Sequence, residues 1–198
     1  KLNQHFSNSP YLLGSKPCIA DFGMMAPMYG HLGRDPKPLA LMQEHAVRVF
    51  RWTERMNRPE PDFGEFDIEK DEYLSDDKVP DTLIEVLKHF AVDFVPETAA
   101  ACHATNKWLE ENPAIESGKE AQRFLTMCSF EVAGVQIDSI AQPFRFFLLE
   151  RLQRIYKDAD ESEQESISDL LKSCDMDSLL EMKLTRTVEM QNNLEVWS

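Results

Sequence analysis

The chain has 198 residues, 42% of them hydrophobic and 10% aromatic, enough to bury a core and too apolar for disorder over most of its length. Its 35 acidic residues against 21 basic ones give a formal charge of −14, which argues against a nucleic-acid surface, because such surfaces neutralise phosphates with Lys and Arg. No apolar run is long enough to span a bilayer, and residues 1–5 lack the apolar segment of a secretory signal.

Along the chain, Tyr11-Leu12-Leu13-Gly14 closes a first apolar run, and Ser15-Lys16-Pro17 predicts a turn. Ile19, Ala20, Phe22, Met24, Met25, Ala26, Met28, Tyr29 and Leu32 then follow almost without polar interruption, Asp21 being the only early charge. A helix apolar on nearly every side is expected to be buried on nearly every side, so this one is predicted as the central core helix, kinked at Pro27. Asp35-Pro36 supplies an N-cap and a first-turn proline. Leu39, Met42, Ala46, Val49, Thr53 and Met56 recur at alternating spacings of three and four, which predicts one helix running to just before Pro59. Phe50 and Trp52 widen its stripe, and Arg48, Arg51, Arg55 and Arg58 crowd its end, where cations suit the macrodipole.

Residues 60–78 are dense in Asp and Glu, relieved only by Lys70 and Lys78, and no helical stripe crosses them. They lack the D-x-D-x-D-G spacing of a calcium loop and are expected to form a solvated acidic connection. Pro80 opens a helix with Leu83, Ile84, Leu87 and Phe90 on one face, and a second is predicted from Pro96 to before Pro113. Phe130, Val132, Val135 and Ile137 alternate across Ala133-Gly134 and predict a short hairpin. The helical period returns after Pro143, and residues 161–190 are expected to form two shorter acidic helices, centred on Ile167-Leu170-Leu171 and Leu179-Leu180. The expected fold is therefore all-α, a bundle around the buried helix, with a small hairpin near 130–137. Residues 1–58 are its core, 59–79 an acidic connection and 80–198 a helical extension on the same domain.

Little here carries chemistry by motif. Cys18, Cys102, Cys128 and Cys174 are widely separated, with no C-x-x-C pair and no histidine at metal-ligand spacing. They are expected to be free thiols in a reducing, cytoplasmic setting, with no metal bound. Gly30-His31-Leu32-Gly33 lacks the order of a phosphate-binding loop, and no Ser sits in a G-x-S-x-G elbow. His31 and His45 fit structural roles. Met24, Met25 and Met28 suit an adaptable apolar pocket, although the same spacing also suits plain core, and Tyr29 is the best polar candidate beside them.

The segment Tyr11-Leu12-Leu13-Gly14-Ser15-Lys16-Pro17-Cys18-Ile19-Ala20-Asp21-Phe22 resembles the start of the C-terminal helical domain of the glutathione transferase superfamily. There, leucine-glycine, a short loop and Ser/Thr-x-x-Asp cap the central helix. The resemblance implies that Cys18 is the N-cap and Asp21 its N3 partner in a capping box, with the half that relies on the thiol weakened because sulfur is a poor acceptor. Tyr29-Gly30-His31-Leu32-Gly33-Arg34-Asp35-Pro36, Trp52 and Arg55-Met56 extend the resemblance, and Pro143-Phe144-Arg145 through Leu152-Gln153-Arg154 looks like members with a long C-terminal extension.

What this implies is a co-substrate-side domain of a protein that uses glutathione on an apolar electrophile. Met24, Met25, Met28 and Tyr29 become the substrate-pocket candidates, Cys18 and Asp21 the structural caps. Glutathione would be bound mainly by a thioredoxin-like N-terminal domain of the same protein, for which this sequence has no β-α-β pattern. The chain is accordingly expected to be part of a longer protein and inactive alone, with no catalytic residue of its own and a homodimer among its expected states. The alternative is a non-catalytic ligand-binding or assembly module that keeps the helical fold.

Overall fold

In the computed structural model, which describes residues 1–62 and 64–198, Asp35 and Pro36 do start a helix, and the surrounding elements follow the hydrophobic stripes closely in some places and depart from them in others. Phe63, inside the expected acidic connection, lies outside the described residues. The chain divides into two units, Lys1–Leu87 and Lys88–Ser198.

The first unit holds α1 (Leu2–Asn8), α2 (Ile19–Met25), a π-helical segment (Ala26–Leu32), α3 (Pro36–His45), α4 (Val47–Met56) and the start of α5 (Asp81–Glu111). Its core gathers Phe6, Tyr11, Leu12, Cys18, Met42, Val49, Trp52, Leu83 and Val86. Trp52 is fully buried and stacks on Phe6 with ring centroids 5.2 Å apart. Burying an aromatic side chain of this class contributes roughly 1.5–3 kcal/mol.

One helix was expected across residues 36–58, but two form, broken at Ala46 with φ −141° and ψ 48°. The break exposes an N–H at the start of α4, and the Asn3 side chain of α1 accepts it from Arg48 at 2.9 Å. Pro27 lies where regular α geometry gives way to the π-helical segment, as its missing N–H would require.

The expectation of a helix buried on all sides is wrong. Ile19 is 89% exposed and Phe22 61%, and in α2 only Asp21 is buried. A helix is buried only on sides that something covers; α2 packs on α4, Met24 and Met25 reach the core only partly, and Ile19 and Phe22 face outward. The acidic connection is exposed over most of its length, and it is also tied down. Ser15 N donates to Glu72 O at 3.0 Å and Leu74 N to Leu13 O at 3.0 Å, so backbone of this stretch is tied to the leucine-glycine turn. Gly14 sits there at φ +127°, and a Cβ at that position would meet Glu72 O at 2.7 Å. Only glycine accommodates both the conformation and the close approach.

In the second unit, α5 continues to Glu111 through Pro96, where two helices had been expected. Loss of one N–H at Pro96 removes one rung of a long ladder, and side chains beyond it, such as Ala101 and Leu109, are buried in the unit's cores. The hairpin lies where the alternation places it and is longer, with β1 (Thr126–Val132) antiparallel to β2 (Val135–Ala141). α6 (Pro143–Asp158) and α7 (Glu161–Ser173) follow. Where a second acidic helix was expected there is only a 3-10 turn (Asp177–Leu180), then a second hairpin of β3 (Val188–Gln191) and β4 (Leu194–Trp197).

The fold is consequently not all-α. Among the described residues it has seven α-helices and two antiparallel two-stranded sheets, 55% helix and 13% strand. The miss has a local cause. Val188, Met190, Leu194 and Val196 alternate around Asn192-Asn193, both at positive φ, and asparagine tolerates that conformation well enough to make a two-residue hairpin turn.

Candidate functional site

The start of α2 is organised by one carboxylate. Asp21 is fully buried and accepts from Cys18 N at 3.0 Å, from Leu12 N at 3.2 Å and from the Trp52 indole N–H at 2.9 Å. The Cys18 thiol donates to it at 3.2 Å. Both halves of the capping box are present, so the thiol occupies the place of the hydroxyl without opening the box. Burial pushes the Cys18 thiol up, which keeps it protonated and able to donate. Among the described residues, Asp21 is therefore held by N–H and S–H donors with no cation among its hydrogen-bond partners.

Trp52 is the member of this network that the helical stripe alone does not announce. It serves as core and as donor at once, and the one available signal is that a buried indole needs an acceptor. His5 is a second such residue. It is fully buried, with Nδ1 2.8 Å from Thr82 Oγ1 and Nε2 3.3 Å from the Tyr11 carbonyl. A carbonyl only accepts, so Nε2 carries the proton and Thr82 donates to Nδ1. Burial holds the His5 pKa below the usual imidazole value. His5 also lines the roomiest of the four described clefts, about 590 Å³, whose walls include Ser9, Ser15, Lys70, Tyr73 and Thr82.

The four pocket candidates fall elsewhere. Met24, Met25 and Met28 are partly buried and packed against the first unit's own core. Tyr29 is partly buried, accepts a hydrogen bond from the Asn57 amide at 3.1 Å and has the Arg34 guanidinium 5.5 Å from its ring centre. Met28 and Tyr29 belong to the π-helical segment, a geometry often found at functional sites. None of the four lines any of the described cavities. The structure thus brings Cys18 and Asp21 together as expected, and leaves the methionines and Tyr29 outside the four described cavities.

All four cysteines are free thiols. Among the described residues no group of His, Cys, Asp and Glu side chains is arranged to hold a metal ion, and no helix is long and apolar enough to cross a membrane. In comparisons with protein-family models, curated proteins and solved structures, nothing matches this chain.

Proposed function

We propose that this chain is the co-substrate-side part of a glutathione-transferase-like protein that uses glutathione on an apolar electrophile. The observation that carries the reading is the closed box at the start of α2. Asp21 of the Tyr11-to-Phe22 signature takes both Cys18 N and the Trp52 indole, so the helix start that the resemblance marks is capped and anchored to the core. On this reading glutathione is held mainly by a thioredoxin-like domain of the same protein, where its thiolate is the nucleophile. Met24, Met25, Met28 and Tyr29 supply an adaptable apolar face to the electrophile, soft methionine side chains being suited to varied shapes. Four free thiols fit a reducing, cytoplasmic setting.

The test is a titration of the chain, labelled at its methionine methyl groups, with an unreactive nitroarene, followed by NMR. Saturable shifts at Met24, Met25 and Met28 are expected, and a separate assay with glutathione and a reactive halogenated nitroarene is expected to show no conjugation by the chain alone. Shifts confined to other methionines would overturn the assignment of the face, and turnover above the solution rate would overturn the division of labour. One observation favours a second reading, a non-catalytic binding or assembly module of the same helical type. Met24, Met25 and Met28 pack on their own core, which is what a structural stripe does. A nitroarene that moves none of the three would select it.

A further inference from the structure

Arg48, Arg51 and Arg55 lie three and four residues apart on α4, so they share one face, and all three converge on a single carboxylate. Glu65 takes Arg48 Nη1 at 2.6 Å, Arg51 Nη1 at 2.5 Å and Arg55 Nη1 at 3.0 Å. Arg58, just past the helix, pairs with Asp62, which the Tyr11 hydroxyl also holds. Arg55 is only 6% exposed; its Nη2 donates to the Pro10 carbonyl, while its Nε has no partner among the described residues. A cavity of about 460 Å³ opens beside them, lined by Arg51, Arg55, Arg58 and Glu54 over Phe50.

The charges lining this cavity balance only through Glu65, with Arg51, Arg55 and Arg58 set against Glu54, Asp62 and Glu65. With Glu65 set aside, these three guanidiniums and that of Arg48, which Glu65 also holds from outside the cavity lining, stand against two carboxylates, a surplus of two positive charges in a chain whose net charge is −14. Glu65 returns one negative charge. Phosphate groups near neutral pH carry roughly −1.5 to −2 and three strong acceptor oxygens, so a phosphate would match both the surplus and the fork geometry of several guanidiniums. The chain's overall negative field is screened within about 8 Å at physiological salt, which leaves the local arginines to decide. Glu65 itself belongs to no helix or strand, so withdrawing its side chain breaks no secondary structure.

We propose that the arginine face of α4 is a phosphate-binding site for a small phosphorylated compound or inorganic phosphate, with Glu65 as the chain's own exchangeable occupant. The site stands independently of the transferase reading. It explains why arginines that would serve a helix end equally well as scattered cations are gathered on one side chain.

The experiment follows the arginine Nε–Hε NMR signals of the 198-residue chain during titration with inorganic phosphate, with ionic strength held constant by sodium chloride. Saturable movement of the Arg48, Arg51 and Arg55 signals is expected. Glu65→Gln removes the competing charge and should tighten phosphate by about tenfold, while Arg51→Gln, which alters a side chain already half exposed, should weaken it by about tenfold. A parallel titration with glycerol phosphate separates the sources, tighter binding of the monoester assigning the site to an organic phosphate and equal binding to the free ion. Signals that move linearly with salt whatever the anion, or an affinity indifferent to Arg51→Gln, would overturn the proposal. Should Glu65→Gln fail to fold, the Arg51→Gln comparison still decides.

Discussion

Two carboxylates of the first unit are held in opposite ways. Asp21 is fully buried and satisfied by the N–H groups of Leu12, Cys18 and Trp52. Glu65 has a side chain 26% exposed and is gripped by three guanidiniums. By charge alone the second site should be the stronger. Burial reverses that order. Donors fixed by backbone and core packing reorganise little, and away from water each becomes an orphan if its acceptor is removed. Ion pairs that water reaches are worth about 0–1 kcal/mol, because solvent competes for both partners. The neutral donor set therefore secures the fold, and the charged one is left free for exchange.

The largest expected effect tests the first half of that contrast. Asp21→Ala strands the Leu12, Cys18 and Trp52 donors, and each unsatisfied buried group costs about 1–3 kcal/mol. A loss of at least about 3 kcal/mol is expected, a large share of the roughly 5–15 kcal/mol that holds a typical domain. Urea unfolding followed by indole fluorescence measures it. A loss under about 1 kcal/mol would place Asp21 with the surface pairs and dissolve the distinction.

The same contrast explains what could be read from the chain beforehand. Local chemistry was legible: Asp35-Pro36 as a helix start, the alternation around Ala133-Gly134 as a hairpin and, through the resemblance, Cys18 with Asp21 as a box. Each depends on residues a few positions apart. What was not legible depended on partners distant in sequence. Nothing near Ala46 signals that Asn3 will cap a new helix at Arg48, and nothing within residues 60–78 signals that Ser15 and Tyr11 will hold that stretch. The apolar run from Ile19 to Leu32 misled for a different reason. Composition states what a helix could bury, whereas burial also requires a covering element, and Ile19 and Phe22 have none here. The second hairpin was readable in principle from Asn192-Asn193, and was hidden by the acidic residues that precede it.

A second way to sharpen the comparison is pH, because His5 belongs to the buried, neutral half. Burial lowers its folded pKa below the ordinary 6.5, so the folded state prefers the uncharged ring. Above about pH 6.5 both folded and unfolded rings are neutral, and His5 adds no pH dependence. As pH falls below that, the unfolded ring binds a proton first and stability declines, levelling off only once pH passes the folded pKa. His5→Gln should remove this part of the decline when urea midpoints are compared across pH 5 to 7. An unchanged slope would mean that His5 titrates as freely folded as unfolded.

Glu65→Gln should cost less than Asp21→Ala, about 1 kcal/mol, since two of its three pairs, those with Arg48 and Arg51, are reached by water. Two of its arginines, Arg48 and Arg51, are themselves substantially exposed, and Arg55 keeps the Pro10 carbonyl as a partner. The difference from wild type should shrink further in molar salt, as screening weakens what the carboxylate contributed. A penalty above about 3 kcal/mol, insensitive to salt, would show that Arg55 behaves as a buried charge left without its counter-ion, and the two carboxylates would then be alike.

The smallest effect is the most discriminating, because its sign is at stake. The Cys18 thiol occupies the N-cap place, is buried in the core cluster and donates to Asp21 at 3.2 Å. Cys18→Ser improves both roles of that side chain in the box, since a hydroxyl is a better donor to the carboxylate and a better acceptor from the Asp21 N–H. Against this, a thiol behaves as a small apolar group, and replacing it forfeits some favourable burial. If satisfied polar donors are what secure this region, the hydrogen-bonding gain wins and the variant is more stable by about 0.5–1 kcal/mol. If apolar packing around Trp52 and Leu12 is what counts, the sign reverses. Urea midpoints of the single variant decide the sign. Repeating the substitution with Asp21→Ala sharpens the test, for the gain should vanish when the carboxylate that receives the hydroxyl is gone.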